Sequence, residues 1–302
     1  MSAGGYESWF VSARDPGGGR GLWLRHTRYQ PRQGAASAAL WCTLADRNLA
    51  DRPMIVKQVF AAFPAEATAG PERFRGQAAL GDREAHWDLA VSEAQPPLRP
   101  LPELLMKAPL PRTKLEVSVP DGWITGTVGT GGHTVEVSRW RGTVGHNWGS
   151  GHADTWVWLH AEFGTAPGDW LDLVLARIKV GPVLVPWTAM GAVRLDGRLI
   201  PLGGLGRRTR VQAQPGRLTA TAPAPRAQVQ LTVTAAHDDT VAVGYADPSG
   251  TSRTVTHAAL AQVEVAVARA GGQHITRSGR GGYEFGTSQP VPGVTPQPLP
   301  AG

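Results

Sequence analysis

Three tryptophans return, almost in step, half a chain later. Trp9, Trp23 and Trp41 are followed by Trp156, Trp170 and Trp187, at offsets of 147, 147 and 146 residues. The neighbouring text rhymes as well: Leu22-Trp23-Leu24 resembles Asp169-Trp170-Leu171, and Ser8-Trp9-Phe10-Val11 resembles Val157-Trp158-Leu159-His160 with a shift of two. Such a repeat constrains the fold more than any other feature, because a duplicated module has to bury a core twice along one chain. The 302 residues suit two domains of about 150 residues, each large enough for its own core. The expected division is 1–150, 151–286 and a tail over 287–302, whose Pro290, Pro292, Pro296, Pro298 and Pro300 predict disorder.

Local pattern indicates the element type. Glu116-Val117-Ser118-Val119, Gln228-Val229-Gln230-Leu231-Thr232-Val233 and Gln262-Val263-Glu264-Val265 alternate polar and apolar residues. Alternation bounded by Gly, Pro and Asp marks antiparallel strands with one buried face. Turn signals at Asp15-Pro16-Gly17, Pro120-Asp121-Gly122, Asp196-Gly197 and Asp247-Pro248-Ser249-Gly250 separate the strands. The expectation is an all-β chain, barrel or sandwich. Helix signal is confined to 102–107 and 256–263, a turn or two each. The six prolines between Ala94 and Arg112 favour extended backbone that cannot join a central ladder. Given the repeat, this segment is expected to be a long connection inside the first domain, across one barrel mouth.

Composition narrows the function. Net charge is +6, but only four of the 30 basic residues are Lys, and the Arg residues are scattered with no run beyond Arg207-Arg208. No basic stripe is present, so no nucleic-acid partner is expected. The single cysteine, Cys42, excludes an internal disulfide and a Cys-based zinc cluster, and its neighbours Leu40 and Trp41 suggest packing. Residues 1–10 lack the basic-then-apolar pattern of a secretory signal, so the expected location is cytoplasmic. The most apolar long window, 170–193, is broken by Asp172, Arg177, Lys179, Pro182 and Pro186. It cannot cross a bilayer as one helix, and contact with a membrane surface stays open. The glycine clusters precede no helix, so no phosphate cradle is implied, and there is no Gly-x-Ser-x-Gly elbow. Oligomeric state is not set by the sequence.

Three of nine His and five of 11 Trp fall between Trp140 and Trp170. Period two sorts them. His152, Asp154, Trp156, Trp158, His160 and Glu162 share one face of a strand, and Ala153, Thr155, Val157, Leu159, Ala161 and Phe163 share the other. The second face is ordinary core. The first needs partners for its polar groups or lines a cavity.

Here Gly145-His146-Asn147-Trp148-Gly149-Ser150-Gly151-His152, followed by Trp156-Val157-Trp158, resembles the signature of the carotenoid hydratase (hydroxyneurosporene synthase)-like superfamily. Its relatives include lipocalin-like cyclases, Diels–Alderase-type proteins and two-barrel lipid-binding proteins. Glu7-Ser8-Trp9-Phe10, Asp247-Pro248 through Thr256-His257, and Gly282-Tyr283-Glu284-Phe285-Gly286 look like its flanking landmarks. The resemblance implies two tandem lipocalin-like antiparallel β-barrels sharing an interface, with an apolar ligand between or within them. One position departs. Hydratase members often carry an acid immediately before the motif's His; here Gly145 stands there, which puts hydratase chemistry in question.

The expected ligand is a large apolar small molecule: an isoprenoid, polyketide or lipid. The expected chemistry is a cofactor-free hydration, isomerisation or cyclisation. It needs a proton donor in a dry cavity, because burial keeps a carboxyl protonated near neutrality. Asp154, Glu162 and Glu7 are the candidate carboxyls, and His146, His152 and His160 would relay the proton or activate water. The catalytic candidates are therefore His146, His152, Asp154 and Glu7. Trp9, Asn147, Trp148, Trp156, Trp158 and His160 would contact the ligand, with aromatic faces steadying positive charge. The alternative for His146, Asn147, His152 and Asp154 is structural, as hydrogen-bonding partners of turn backbone. No metal is expected, because His152 and His160, eight residues apart on one strand, would stand ~26 Å apart. A non-catalytic carrier is the competing function. A carboxyl and a His facing one cavity would favour the enzyme.

Overall fold

A computed structural model of the chain describes residues 4–49, 53–204 and 207–300. The first sheet comprises β1 (Gly5–Arg14), β2 (Arg20–Gln30), β3 (Ser37–Asp46), β4 (Met54–Phe60), β5 (Thr68–Ala69), β6 (Arg73–Leu80), β7 (Arg83–Ser92), β8 (Thr113–Thr130) and β9 (His133–Gly149). Their order is β4-β3-β2-β1-β9-β8-β7-β6-β5, antiparallel throughout. There follow β10 (Thr155–Phe163), β11 (Asp169–Arg177), the short pair β12 (Lys179–Val180) and β13 (Val183–Leu184), then β14 (Thr188–Leu195) and β15 (Arg198–Gly203). The chain finishes with β16 (Arg210–Gln214), β17 (Arg217–Ala224), β18 (Ala227–Thr234), β19 (Thr240–Ala246), β20 (Ser252–Arg269) and β21 (His274–Thr287). The second sheet runs β15-β14-β11-β10-β21-β20-β18-β17-β16. Without the β12–β13 hairpin and β19, which pairs only with β20, the two orders are one path walked twice. The chain is two tandem lipocalin-like barrels.

Each sheet curls until its end strands face one another. In the first, the Ala79 amide on β6 donates to Gln58 Oε1 on β4 at 2.8 Å. The barrel insides are filled, as expected when about eight strands leave room only for side chains. Leu24, Cys42, Phe74, Trp87, Leu89 and Trp140 pack the first. The second is packed by Leu159, Leu173, Val193, Leu231, Val265 and Tyr283, and the Tyr283 hydroxyl donates to the Gln214 and Arg217 carbonyls at 2.8 and 2.9 Å. Each such side chain contributes about 1.5–3 kcal/mol by leaving water. Neither interior is therefore the ligand space.

Side-chain direction tests the tryptophan repeat. Trp23 lies on the outside of the first barrel. Leu171 and Leu173 fill the second barrel, so Trp170 points out of it, and this pair is equivalent. Trp9 packs on the inside of the first barrel whereas Trp156 is outside the second. Trp41 is outside the first, and Trp187 packs on the core of the second. The path is duplicated, but two of the three spacings join residues on opposite faces.

The helix expected over 102–107 is α1 (Glu103–Lys107). The one expected over 256–263 is strand, inside β20, where a register shift between Ala258 and Ala261 lets the strand pair with β19 in its first half and β18 in its second. The 94–112 connection is tied down by reciprocal backbone bonds between Leu98 and Val117, each 2.9 Å. The tail expected to be disordered is pinned over 288–300. The Gln297 amide donates to the Ala242 carbonyl at 2.8 Å, Leu299 packs against the cluster of Trp23, Trp41 and Val241, and Lys57 donates to the Pro300 carbonyl. Bonds to β19 and β4 offset the entropy that the prolines alone would leave unspent. Among the described residues no helix is long and apolar enough to cross a membrane.

Candidate functional site

The barrels meet along a seam of outward-facing residues. Trp23, Trp41 and Ile55 of the first pack on Trp156, Val241 and Tyr245 of the second. Part of the seam is hollow, with a cavity of about 150 Å³. Phe10, Trp23, Leu115, Trp156, Trp158 and Val174 form its apolar wall. Leu101, Leu110 and Pro111 of the 94–112 connection and Ile178 beside the β12–β13 hairpin border it.

Strand alternation explains the wall. On β21, Tyr283 and Phe285 fill the second barrel, so Gly282, Glu284 and Gly286 face the seam. Glu284 is opposite Trp158 on β10, and Gly286 is opposite Trp156. A Cβ on Gly286 would stand 2.1 Å from Trp156 Cζ2, so only glycine leaves room for the indole. The same logic explains Gly145. It faces Phe10 across β1 and β9, and a Cβ there would stand 2.1 Å from Phe10 Cζ. Where the resemblance places an acid, this chain has a phenyl ring.

Polar groups enter the wall at fixed points. Glu284 accepts from Trp156 Nε1 and from the Tyr245 hydroxyl, both at 2.7 Å. Burial, then the nearby Glu284, push the Tyr245 phenol well above its ordinary range, so it remains a donor. Burial likewise raises Tyr6 to about 12, and its hydroxyl bonds Thr113 Oγ1 at 2.9 Å. Arg25 is buried; its Nε donates to Ser8 Oγ at 2.7 Å and its guanidinium lies 3.9 Å from the Tyr245 ring centre. His152 stacks on Tyr6 at 4.4 Å. Its amide donates to Asp247 Oδ2 at 2.9 Å, while its Nδ1 stands 3.5 Å from the same oxygen and neither ring nitrogen finds a hydrogen-bond partner among the described residues. Burial lowers the His152 pKa, against the pull of Asp247, so the ring is neutral near pH 7.

Behind Trp158 the same β10 face turns ionic. His160 Nδ1 is 3.2 Å from Asp172 Oδ2, and its Nε2 is 3.2 Å from Glu162 Oε1. Arg14, from the first barrel, donates to Glu162 Oε1 at 2.6 Å and to the Ala259 carbonyl at 3.2 Å. All four side chains are buried. Desolvation opposes charge on His160, but the two carboxylates outweigh it and raise the imidazole pKa. Desolvation also acts on Glu162, and Arg14 and His160 together outweigh it, holding the carboxyl low. The neighbouring His257 has no partner for either ring nitrogen among the described residues, and burial drops it to about 3.

The candidate residues divide into two places. Asn147, His152, Asp154, Trp156 and Trp158 line the inter-barrel cavity, and His160 sits behind Trp158. Asp154 is engaged with backbone: its Oδ2 accepts from the Lys179 amide at 2.7 Å. Glu7, Trp9, His146 and Trp148 lie on the other face of β1 and β9. His146 Nε2 is 3.1 Å from Glu7 Oε1, and its ring is stacked 4.9 Å from Trp9 and 4.6 Å from Trp148. None of these four borders the cavity. His152 precedes the strand that begins at Thr155, so it and Asp154 do not belong to the regular face expected for them. No group of three or more potential ligands suits a metal ion among the described residues.

Sequence reasoning missed Arg25, Tyr6, Tyr245, Arg14 and Asp172. Glu284, Asp247 and His257 lay inside segments that carried the resemblance but were given no role. The arginines had no signal, because one Arg among 26 scattered ones looks like background.

No protein-family model matches the chain. Two Mycobacterium tuberculosis proteins, the uncharacterized proteins Rv0493c of strain H37Rv and MT0513 of strain CDC 1551, are each 28% identical over 297 residues, 94% of this chain and 87% of theirs. The solved CghA, in complex with Sch210972, superposes with a TM-score of 0.60 at 13% identity, over 95% of this chain and 89% of that one. The AttH-like protein NE1406 of Nitrosomonas europaea gives 0.55 at 16% identity, over 93% and 91%. Kievitone hydratase of Nectria haematococca gives 0.53 at 9% identity, over 92% and 88%. The fold is the tandem lipocalin-like barrel that these solved structures share. At these identities the likeness speaks for the fold alone.

Proposed function

We propose that the inter-barrel cavity binds an apolar small molecule of the isoprenoid, polyketide or lipid class and catalyses a cofactor-free hydration, isomerisation or cyclisation by proton transfer. The observation that carries this reading is that an indole-walled hollow holds a carboxyl, Glu284, and a neutral imidazole, His152, on one wall. Sites of this kind are mostly apolar, with a few placed polar groups. His152 is the proton carrier, because its Nε2 has no partner among the described residues while Asp247 accepts from its amide and stands 3.5 Å from its Nδ1. Trp156 and Tyr245 fix Glu284. That one neighbour is CghA with Sch210972 and another a hydratase supports the class.

A non-catalytic carrier is the second reading. It is favoured by Glu7 and His146 lying away from the cavity and by Asp154 being occupied with the Lys179 amide.

Native mass spectrometry of protein from its own host tests the binding claim. An apolar adduct is expected, and Val174→Trp, which fills the cavity, should remove it. With the ligand identified, His152→Gln should lose turnover at least tenfold while keeping affinity. Unchanged affinity with no turnover in either protein would favour the carrier, and absence of any adduct together with failure to bind an apolar dye would overturn the site.

A further inference from the structure

Arg25 is 6% exposed, and no carboxylate oxygen lies within salt-bridge distance of its guanidinium among the described residues. The other well-buried arginines of the seam are paired: Arg14 with Glu162 and Arg141 with Asp121. A buried cation without a partner is costly, and its burial is normally offset by an anion or by a full set of acceptors. Among the described residues Arg25 donates from Nε to Ser8 Oγ at 2.7 Å, and its charge also acts on the Tyr245 phenol. Its remaining stabilisation is aromatic, with the guanidinium 3.9 Å from the Tyr245 ring centre and 5.8 Å from that of Trp41. The wall carboxyls are already engaged, Glu284 by Trp156 and Tyr245 and Asp154 by the Lys179 amide. Arg25 lines the main cavity and also a smaller pocket that shares Tyr6, His152 and Tyr245 with it, so it marks the place where the two meet.

We infer that Arg25 is an anion-binding group and that the ligand is an amphiphile: an apolar body along Trp23, Trp156 and Trp158, and a carboxylate or ionised enol against the free edge of the Arg25 guanidinium. This rests on the proposed inter-barrel binding site and adds the polarity of its ligand. Arginine suits the role because its planar fork matches two oxygens, and fixing Nε on Ser8 and one face on Tyr245 leaves the Nη edge as the open donor side. The same placement sets direction: the head group points towards Tyr6 and His152, and the body towards the opening bordered by Leu110 and Ile178. His152 then stands beside the charged end of the ligand, where proton transfer next to a carbonyl or enol would occur.

Two dyes that share one aromatic skeleton test this. N-phenyl-1-naphthylamine is neutral, and 8-anilinonaphthalene-1-sulfonate carries an anion on the same rings. Both brighten on entering an apolar site, and both are titrated into the wild-type chain and into Arg25→Met. The expected result is a loss of sulfonate-dye affinity of at least tenfold with neutral-dye affinity held within twofold. Should Arg25→Met fail to fold, Arg25→Gln carries the same comparison. A second measurement needs no variant: 2-naphthoate should displace the neutral dye from wild type at a concentration at least tenfold below that needed for 2-naphthalenemethanol. Equal displacement by acid and alcohol, or equal loss of both dyes in the variant, overturns the anion site and leaves the cavity standing. Failure of either dye to bind, or binding indifferent to Val174→Trp, overturns the cavity and this inference with it.

Discussion

At the mouth of the first barrel, His146 is stacked between Trp9 and Trp148 and bonded to Glu7. At the seam, His152 is stacked on Tyr6 and Trp156 and sits beside Asp247. The two clusters contain an imidazole, two aromatic rings and a carboxyl each. They differ in water. The His146 and Glu7 side chains are 23% and 36% exposed, and those of His152 and Asp247 are 9% and 4%. Solvent screens the first pair, so its contact is weak. The second lies in a low dielectric that strengthens each interaction and makes each missing partner costly. Residue type allows the chemistry, and burial decides where it has force.

The sharpest way to break this comparison is to remove one ion from each region. Arg14→Met would leave Glu162 buried without its arginine, and a loss of about 3–5 kcal/mol is expected. Glu7→Gln should cost under about 1 kcal/mol. Denaturant unfolding of the two variants measures both, and equal losses would mean that burial is not the distinction.

A smaller effect is expected within the cavity wall. Tyr245→Phe removes one of two donors to Glu284 and should cost about 1–3 kcal/mol in the same assay. If it stabilises the protein instead, Glu284 is not held in the way described.

pH separates two kinds of buried histidine. His257 and His26 are each lowered to about 3 by burial, so they bind a proton in the unfolded chain near pH 6.5 but not in the folded one. Their contribution is present above about 6.5 and lost as pH falls towards 3, at up to about 1.4 kcal/mol per pH unit for each. His160 is raised, so its contribution is complete below about 6.5 and is lost as pH rises through its folded value. Melting temperature against pH should therefore fall on the acid side, and His257→Gln should flatten that limb. An unchanged acid limb would show that His257 does not titrate with unfolding.

The smallest effect belongs to the exposed cluster. Trp148→Ala should leave neutral-dye affinity within twofold, because Trp148 does not border the cavity. A larger change would join the two clusters into one site.

Much of this architecture was readable from alternation. Period two identified strands, and it grouped Trp156, Trp158, His160 and Glu162 on one side of β10, where all four meet the seam. The same rule could not say that Glu7 and His146 point away from His152, since that depends on which side of β1 and β9 the second barrel covers. Nor could it place Tyr6, Arg25, Tyr245 and Glu284 around one hollow: they come from β1, β2, β19 and β21, joined by packing rather than by spacing.

The amino-acid order alone determined an all-β chain and the grouping of side chains within each strand, because these follow from local backbone geometry repeated every second residue, and the tryptophan repeat pointed to two copies. Tertiary structure alone decided which faces were enclosed, that the cavity lies between filled barrels, and that Arg25 is buried with no carboxylate partner among the described residues. Those outcomes depend on sheet curvature and on the docking of surfaces far apart in the chain, which alternation along a strand does not encode.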